Sequence, residues 1–203
     1  MIRWILFDQA GVQTQNIFSR TECYVIKGKK VLAKDLESIF YIPEYRQFSV
    51  GTISETELIS SFLNKTYIDI TIEEFIEIFK NDIRPIEGMD KILNMLSQNY
   101  SLATIINEGS EWANYKLDVS GFRKFFAYNF ISGDLKIAKP APEIYTTVLQ
   151  QLNAKPEECL FIDDQKKNCE AAEKLGINSI VFDNSEQLVT DFVKFSINLE
   201  NSK

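Results

Sequence analysis

The sequence contains no histidine. That absence excludes Ser-His-Asp and Cys-His nucleophiles and any histidine-ligated zinc or haem. Carboxylate, lysine, hydroxyl and thiol are what remain for active chemistry. Cysteine is scarce too: Cys23, Cys159 and Cys169 are the full complement, with no C-x-x-C pair. An odd number without paired spacing argues against a disulfide framework and reads as three reduced, mostly buried thiols in a cytosolic protein. Positive charge is in deficit, with 22 Lys+Arg against 29 Asp+Glu and a net charge of −7. Phosphate backbones need a basic footprint, so nucleic acid is not the expected partner. No apolar run approaches the roughly 18 residues of a membrane span. The N-terminus reaches Asp8 after a few apolar residues, which is too short for a signal-peptide core. The expectation is a soluble cytoplasmic chain with no membrane or nucleic-acid partner, and no pattern specifies an oligomeric state.

An apolar content of 45% over 203 residues is ample for a core of one or two domains. Four short apolar runs, at residues 2–7, 102–106, 159–162 and 179–182, are each bounded by polar or turn residues. Such runs are the pattern of strands buried on both faces of a parallel sheet. Helical faces lie between them. Ile92, Leu93 and Leu96 form one; Ile144, Tyr145, Val148, Leu149 and Leu152 form another, behind Pro140 and Pro142; Ala171, Ala172 and Leu175 form a third, closed by Gly176. Alternating strand and helix predicts an α/β fold, a doubly wound parallel sheet.

The pattern changes after Thr14. Ser54 with Glu57 and Thr71 with Glu74 are capping boxes that open two helices, and residues 31–40 read as a third. The spacing predicts a helical insertion over residues 15–83, placed as a lid beside the end of the first strand. Residues 1–14 and 84–203 would then form the α/β core. Trp4, Trp112 and most of the phenylalanines read as packing, Lys166 and Lys167 as a solvated helix start, and residues 187–203 as a final helix and polar tail.

In an open parallel sheet, ligands bind beyond the carboxyl ends of the strands. The residues just past three of these strands are Asp8, Asn107 and the pair Asp163-Asp164. Three carboxylates and an amide thus converge on one edge. Clustered acids repel unless a cation neutralises them, and an all-oxygen cluster suits Mg²⁺. Lys139, just before Pro140 at a helix start, supplies further positive charge.

These residues resemble the motifs of the haloacid dehalogenase superfamily. An apolar strand leads into Asp8-Gln9-Ala10-Gly11-Val12, and a second ends in Ile105-Ile106-Asn107-Glu108-Gly109. A lysine block follows at Lys139-Pro140-Ala141-Pro142-Glu143, and then an acidic pair in Ile162-Asp163-Asp164 with Asn168 downstream. The resemblance covers nearly the whole chain, and the insertion resembles that family's C1 cap. It implies a Rossmannoid core and a Mg²⁺-dependent phosphatase of a small phosphorylated metabolite. Asp8 would be the nucleophile that forms an aspartyl-phosphate, and Lys139 would clamp the phosphoryl oxygens. Metal ligands would be Asp8, the Ala10 carbonyl and Asp164, with Asp163 in or near the coordination shell. Asn107, Glu108, Gly109 and Lys139 would contact substrate.

Two positions depart from the family pattern. The second Asp of the first motif, the general acid/base, is Ala10 here, and the Ser/Thr of the second motif is Ile106. Asn107, or behind it Thr104 on the face of Ile106, is the expected substitute donor. The departures keep open a catalytically silent protein that binds a phosphorylated ligand or a partner. Ala10 is also similar to the phosphonoacetaldehyde hydrolases, but those need a cap lysine and none occurs between Lys34 and Lys65. A metal-free 2-haloacid dehalogenase would leave the acidic pair without a role.

Overall fold

The computed structural model describes residues 1–199. The chain opens with strand β1 (Trp4–Phe7) and then leaves the sheet for a largely helical insert. There an antiparallel hairpin, β2 (Cys23–Ile26) and β3 (Lys29–Leu32), is followed by helices α1 (Ala33–Glu37), α2 (Pro43–Ser49), α3 (Glu55–Thr66) and α4 (Ile72–Asp82). After α5 (Met89–Leu96) come β4 (Ser101–Ile106), α6 (Ser110–Val119), β5 (Tyr128–Ile131), α7 (Ser132–Leu135) and α8 (Pro142–Leu152). The chain continues through β6 (Cys159–Asp163), α9 (Lys166–Glu173), β7 (Asn178–Val181) and α10 (Ser185–Phe192). The expected tail at residues 200–203 lies outside the described residues.

Five strands form one parallel sheet in the order β5-β4-β1-β6-β7. Strand alternation divides its side chains between two layers. Ile5 and Phe7 of β1 pack with α5, α6 and α10, whereas Leu6 packs with α8 through Ile144, Tyr145 and Val148. Burial on both faces explains the continuous apolar strands. A fifth strand, β5, joins the four expected ones. Its polar Asn129 broke the apolar pattern, and in the fold that residue accepts a hydrogen bond from Thr104 Oγ1 at 3.1 Å.

The expected helix over residues 31–40 is corrected. Lys27 and Gly28 both take positive φ, 46° and 81°, the conformation of the two-residue hairpin turn that pairs β2 with β3. Helix therefore starts only at Ala33. Both capping boxes form as read: Ser54 Oγ accepts from Glu57 N and Thr71 Oγ1 from Glu74 N, each at 3.2 Å.

The insert has its own core, in which Phe18, Phe48, Phe62, Phe75 and Phe79 are buried. Trp112 of α6 enters that core from the sheet side, and its Nε1 donates to Glu55 Oε1 at 2.9 Å. The two chain passages that connect insert and sheet run side by side, with Gln15 N donating to Arg84 O and Ile86 N to Gln13 O. The insert is thereby held against the carboxyl end of β1. The three cysteines are unpaired, and no helix among the described residues is long and apolar enough to cross a membrane.

Candidate active site

Phe7 lies opposite Ile162 across the β1–β6 pair, so Asp8 follows beside Asp163, and Asp8 N donates to Ile162 O at 2.8 Å. Between the two carboxylates sits Lys139, from the loop that leads into α8. Its Nζ is 2.8 Å from Asp8 Oδ1 and 2.7 Å from Asp163 Oδ2. Asp163 is fully engaged: Oδ1 also accepts from Gln165 N at 2.8 Å and Asn168 Nδ2 at 2.9 Å. It acts as the anchor that fixes Lys139. Asp164 accepts from Gln165 Nε2 at 2.9 Å and faces Gly11. Gly11 holds φ at +82°, and a Cβ there would stand 2.7 Å from Asp164 Oδ2, so any larger residue would crowd the acid. One carboxylate oxygen from each of Asp8, Asp163 and Asp164 lies within 4.8 Å of the others.

Three carboxylates against one ammonium leave two negative charges uncompensated. Burial pushes the Asp8 carboxyl up to about 6 although Lys139 pulls it down, and Asp163 adds to the rise. Burial raises Asp164 as well. For Lys139, burial would favour the neutral amine, but Asp8 and Asp163 outweigh it and hold the ammonium above its ordinary range. Replacing Lys139 by Met would leave two buried acids facing each other. Removing one partner of such a buried pair costs about 3–5 kcal/mol, or roughly 10 °C in a chain of this size. Thermal unfolding of Lys139→Met against the wild type checks this, and an unchanged midpoint would overturn the electrostatic account.

Asn107 lines the cavity but spends its carbonyl oxygen and one of its two amide N–H donors on the Lys139 backbone. Its Nδ2 donates to Lys139 O and its Oδ1 accepts from Lys139 N, both at 2.8 Å, so it positions the lysine. Thr104, bonded to Asn129, is fully buried and does not line the cavity, whereas Ile106 does. Gly109 packs against the Phe48 ring of the insert instead of lining the cavity. Glu108 lines it, but both its oxygens are engaged: Oε2 accepts from Lys116 Nζ at 2.8 Å and Oε1 from Tyr45 Oη at 3.1 Å. Lys167, one of the two exposed lysines at the start of α9, also borders the opening.

Over the acids lies a cavity of 240 Å³ lined by Asp8, Ala10, Lys139 and Asp164 among others. A second, of 340 Å³, extends under the insert between Ile17, Phe40, Tyr41 and Tyr45. Ala10, Asn16, Asn107, Glu108 and Lys116 line both. A larger depression, 730 Å³ between Arg3, Thr146 and Pro156, lies at the opposite end of the strands and contains none of these residues. Lys116, Tyr45 and Gln9 escaped the sequence reading. Lys116 and Tyr45 meet Glu108 across three separate elements, which no local spacing reveals. Gln9 Nε2 donates to Ala113 O at 3.0 Å, and its Oε1 is buried without a partner among the described residues.

A family model described as haloacid dehalogenase-like hydrolase matches residues 21–182, a span that starts after Asp8 and Ala10. Flavin mononucleotide hydrolase 1 of Arabidopsis thaliana is 27% identical over 157 residues, 77% of this chain and 64% of that protein. A phosphorylated carbohydrates phosphatase of Thermotoga maritima is 30% identical over 109 residues, 53% of this chain and 50% of that one. The chain thus spans between half and two thirds of the length of these curated relatives. Among solved structures, a mutant of a HAD family enzyme from Bacteroides thetaiotaomicron, in complex with magnesium and inorganic phosphate, superposes with a TM-score of 0.74 at 20% identity. It covers 91% of this chain and 96% of that one. The L-2-haloacid dehalogenase of Xanthobacter autotrophicus superposes at 0.67 and 16% identity, over 98% of this chain and 85% of that one. At such identities the likeness speaks for the fold. With the family model matching most of its length, the chain belongs to the haloacid dehalogenase-like hydrolases.

Proposed function

We propose that the chain is a Mg²⁺-dependent phosphatase of small phosphorylated molecules, acting through an aspartyl-phosphate on Asp8. The observation that carries this reading is Lys139 held between Asp8 and Asp163, with Asp164 beside them at the mouth of one cavity. Residues 1–14 and 84–203 form the catalytic core in this reading, and residues 15–83 the cap over the leaving group. Relatives named as a flavin mononucleotide hydrolase and a carbohydrate phosphatase favour a phosphorylated small molecule, and the net charge of −7 disfavours nucleic acid.

Hard oxygen donors and two uncompensated negative charges fit a divalent cation such as Mg²⁺. Asp8, Asp164 and the Ala10 carbonyl would hold it, with Asp163 alongside. When bound, the cation supplies charge neutralisation for the phosphoryl group. Asp8 attacks phosphorus, the bond to the leaving oxygen breaks, and Lys139 donates to a phosphoryl oxygen as charge spreads over it. Water then hydrolyses the aspartyl-phosphate to inorganic phosphate and free Asp8. Position 10 carries only a methyl group, so the leaving oxygen draws its proton from solvent.

Without a positioned acid, good leaving groups should dominate. Aryl and acyl phosphates are expected to turn over about 10²-fold or more faster than alkyl phosphates. A substrate panel with Mg²⁺ measures this directly, and equal aryl and alkyl rates would count against it. The second reading, a silent phospho-ligand binder, is favoured by Ala10 and Ile106, which replace the acid/base and the hydroxyl donor. It predicts no turnover above that of an Asp8 variant.

A further inference from the structure

We propose that Lys116 stabilises the leaving oxygen, compensating electrostatically for the acid that position 10 lacks; this rests on the phosphatase reading. The Lys116 side chain is 3% exposed, and its Nζ has one carboxylate partner, Glu108 Oε2 at 2.8 Å. The Nζ also lies 5.7 Å from the centroid of the Phe79 ring. An ammonium carries three donors, so two of them have no hydrogen-bond acceptor among the described residues. A buried cation with spare donors is costly unless an acceptor arrives.

The position of Lys116 indicates which acceptor that is. Lys116 lines both the 240 Å³ cavity that contains Asp8 and Lys139 and the 340 Å³ cavity under the insert. With the phosphoryl group at Asp8 and the rest of the molecule under the insert, the oxygen that joins them lies where the cavities meet. Ala10 lines that same junction. As the P–O bond breaks, its electron pair stays on the leaving oxygen. The Lys116 ammonium faces that growing charge, and the proton that completes the alcohol comes from water. Glu108 holds the ammonium in place and is itself fixed by Tyr45 Oη of the insert at 3.1 Å. The insert thus takes part in setting the position of the cation.

The test is kcat/KM with Mg²⁺ for nitrophenyl phosphate, a good leaving group, and phenyl phosphate, a poor one. The Glu108→Gln/Lys116→Met double variant removes both charges and leaves no lone buried ion. It should lose roughly 10²-fold on phenyl phosphate, the scale of one transition-state donor, and only a few-fold on nitrophenyl phosphate. Lys116→Arg, which keeps both the cation and its carboxylate partner Glu108, should retain the wild-type ratio between the two substrates. Equal losses on both substrates in the double variant, no loss on either, or an Arg variant as selective as the double, would overturn the proposal. Wild-type turnover no higher than that of Asp8→Asn would instead reject the phosphatase reading itself, and this proposal with it.

Discussion

Asp8→Asn is expected to lower aryl phosphate turnover by about 10⁴-fold or more, the scale on which loss of a nucleophile registers. Asn keeps the size of the side chain and a carbonyl oxygen that can still accept from Lys139, but its amide cannot attack phosphorus. The fold should survive, because the 2.7 Å contact between Lys139 and Asp163 is untouched and Asp163 keeps its bonds from Gln165 and Asn168. One buried carboxylate is also removed from a site that already has too many. The measurement is steady-state turnover with Mg²⁺, together with acid quenching to trap a phosphorylated chain. Wild type should yield an acid-stable, hydroxylamine-labile phosphoryl group and Asp8→Asn none. Identical rates in both proteins would mean that Asp8 is not the nucleophile.

Ala10→Asp is expected to change activity in the opposite direction. A positioned acid/base contributes about 10²–10⁴-fold, and the gain should be concentrated on alkyl phosphates, whose leaving oxygen needs a proton most. Position 10 borders both cavities and is only partly buried, so a carboxyl has room to project into them. The surrounding acids and partial burial favour its protonated form, the form a proton donor needs, against the opposing pull of Lys116 and Lys139 in the same lining. The ratio of alkyl to aryl kcat/KM reads this out. A variant with unchanged alkyl turnover would show that the missing carboxyl at Ala10 is not what limits the site.

The reach of the sequence differs between parts of the molecule. Asp8, Asn107, Asp163 and Asp164 were legible because strands buried on both faces are written as short apolar runs, and each of these residues stands at the end of one. Lys139 was legible from its proline-rich surroundings at a helix start. The strand Tyr128–Ile131 was not, since Asn129 interrupts it and is satisfied only by Thr104 of the neighbouring strand. The hairpin of the insert was missed because its turn rests on the positive φ of Lys27 and Gly28, which outweighed a helix-like stretch beyond it.

What those side chains do to one another was beyond the sequence. Asn107 has the right place for a substrate contact, yet its carbonyl oxygen and one of its two amide donors are bound to the Lys139 backbone. Glu108 had the same expectation, yet it forms a buried pair with Lys116 under the hydroxyl of Tyr45. The sequence by itself determined the alternation of strand and helix, the gathering of acids at one sheet edge and the absence of any histidine to serve them. Those are consequences of local periodicity and composition. Only the tertiary structure decided which acid is anchored, which amide braces the lysine backbone and which buried lysine lines the cavity, because such contacts join residues from separate elements brought together by packing.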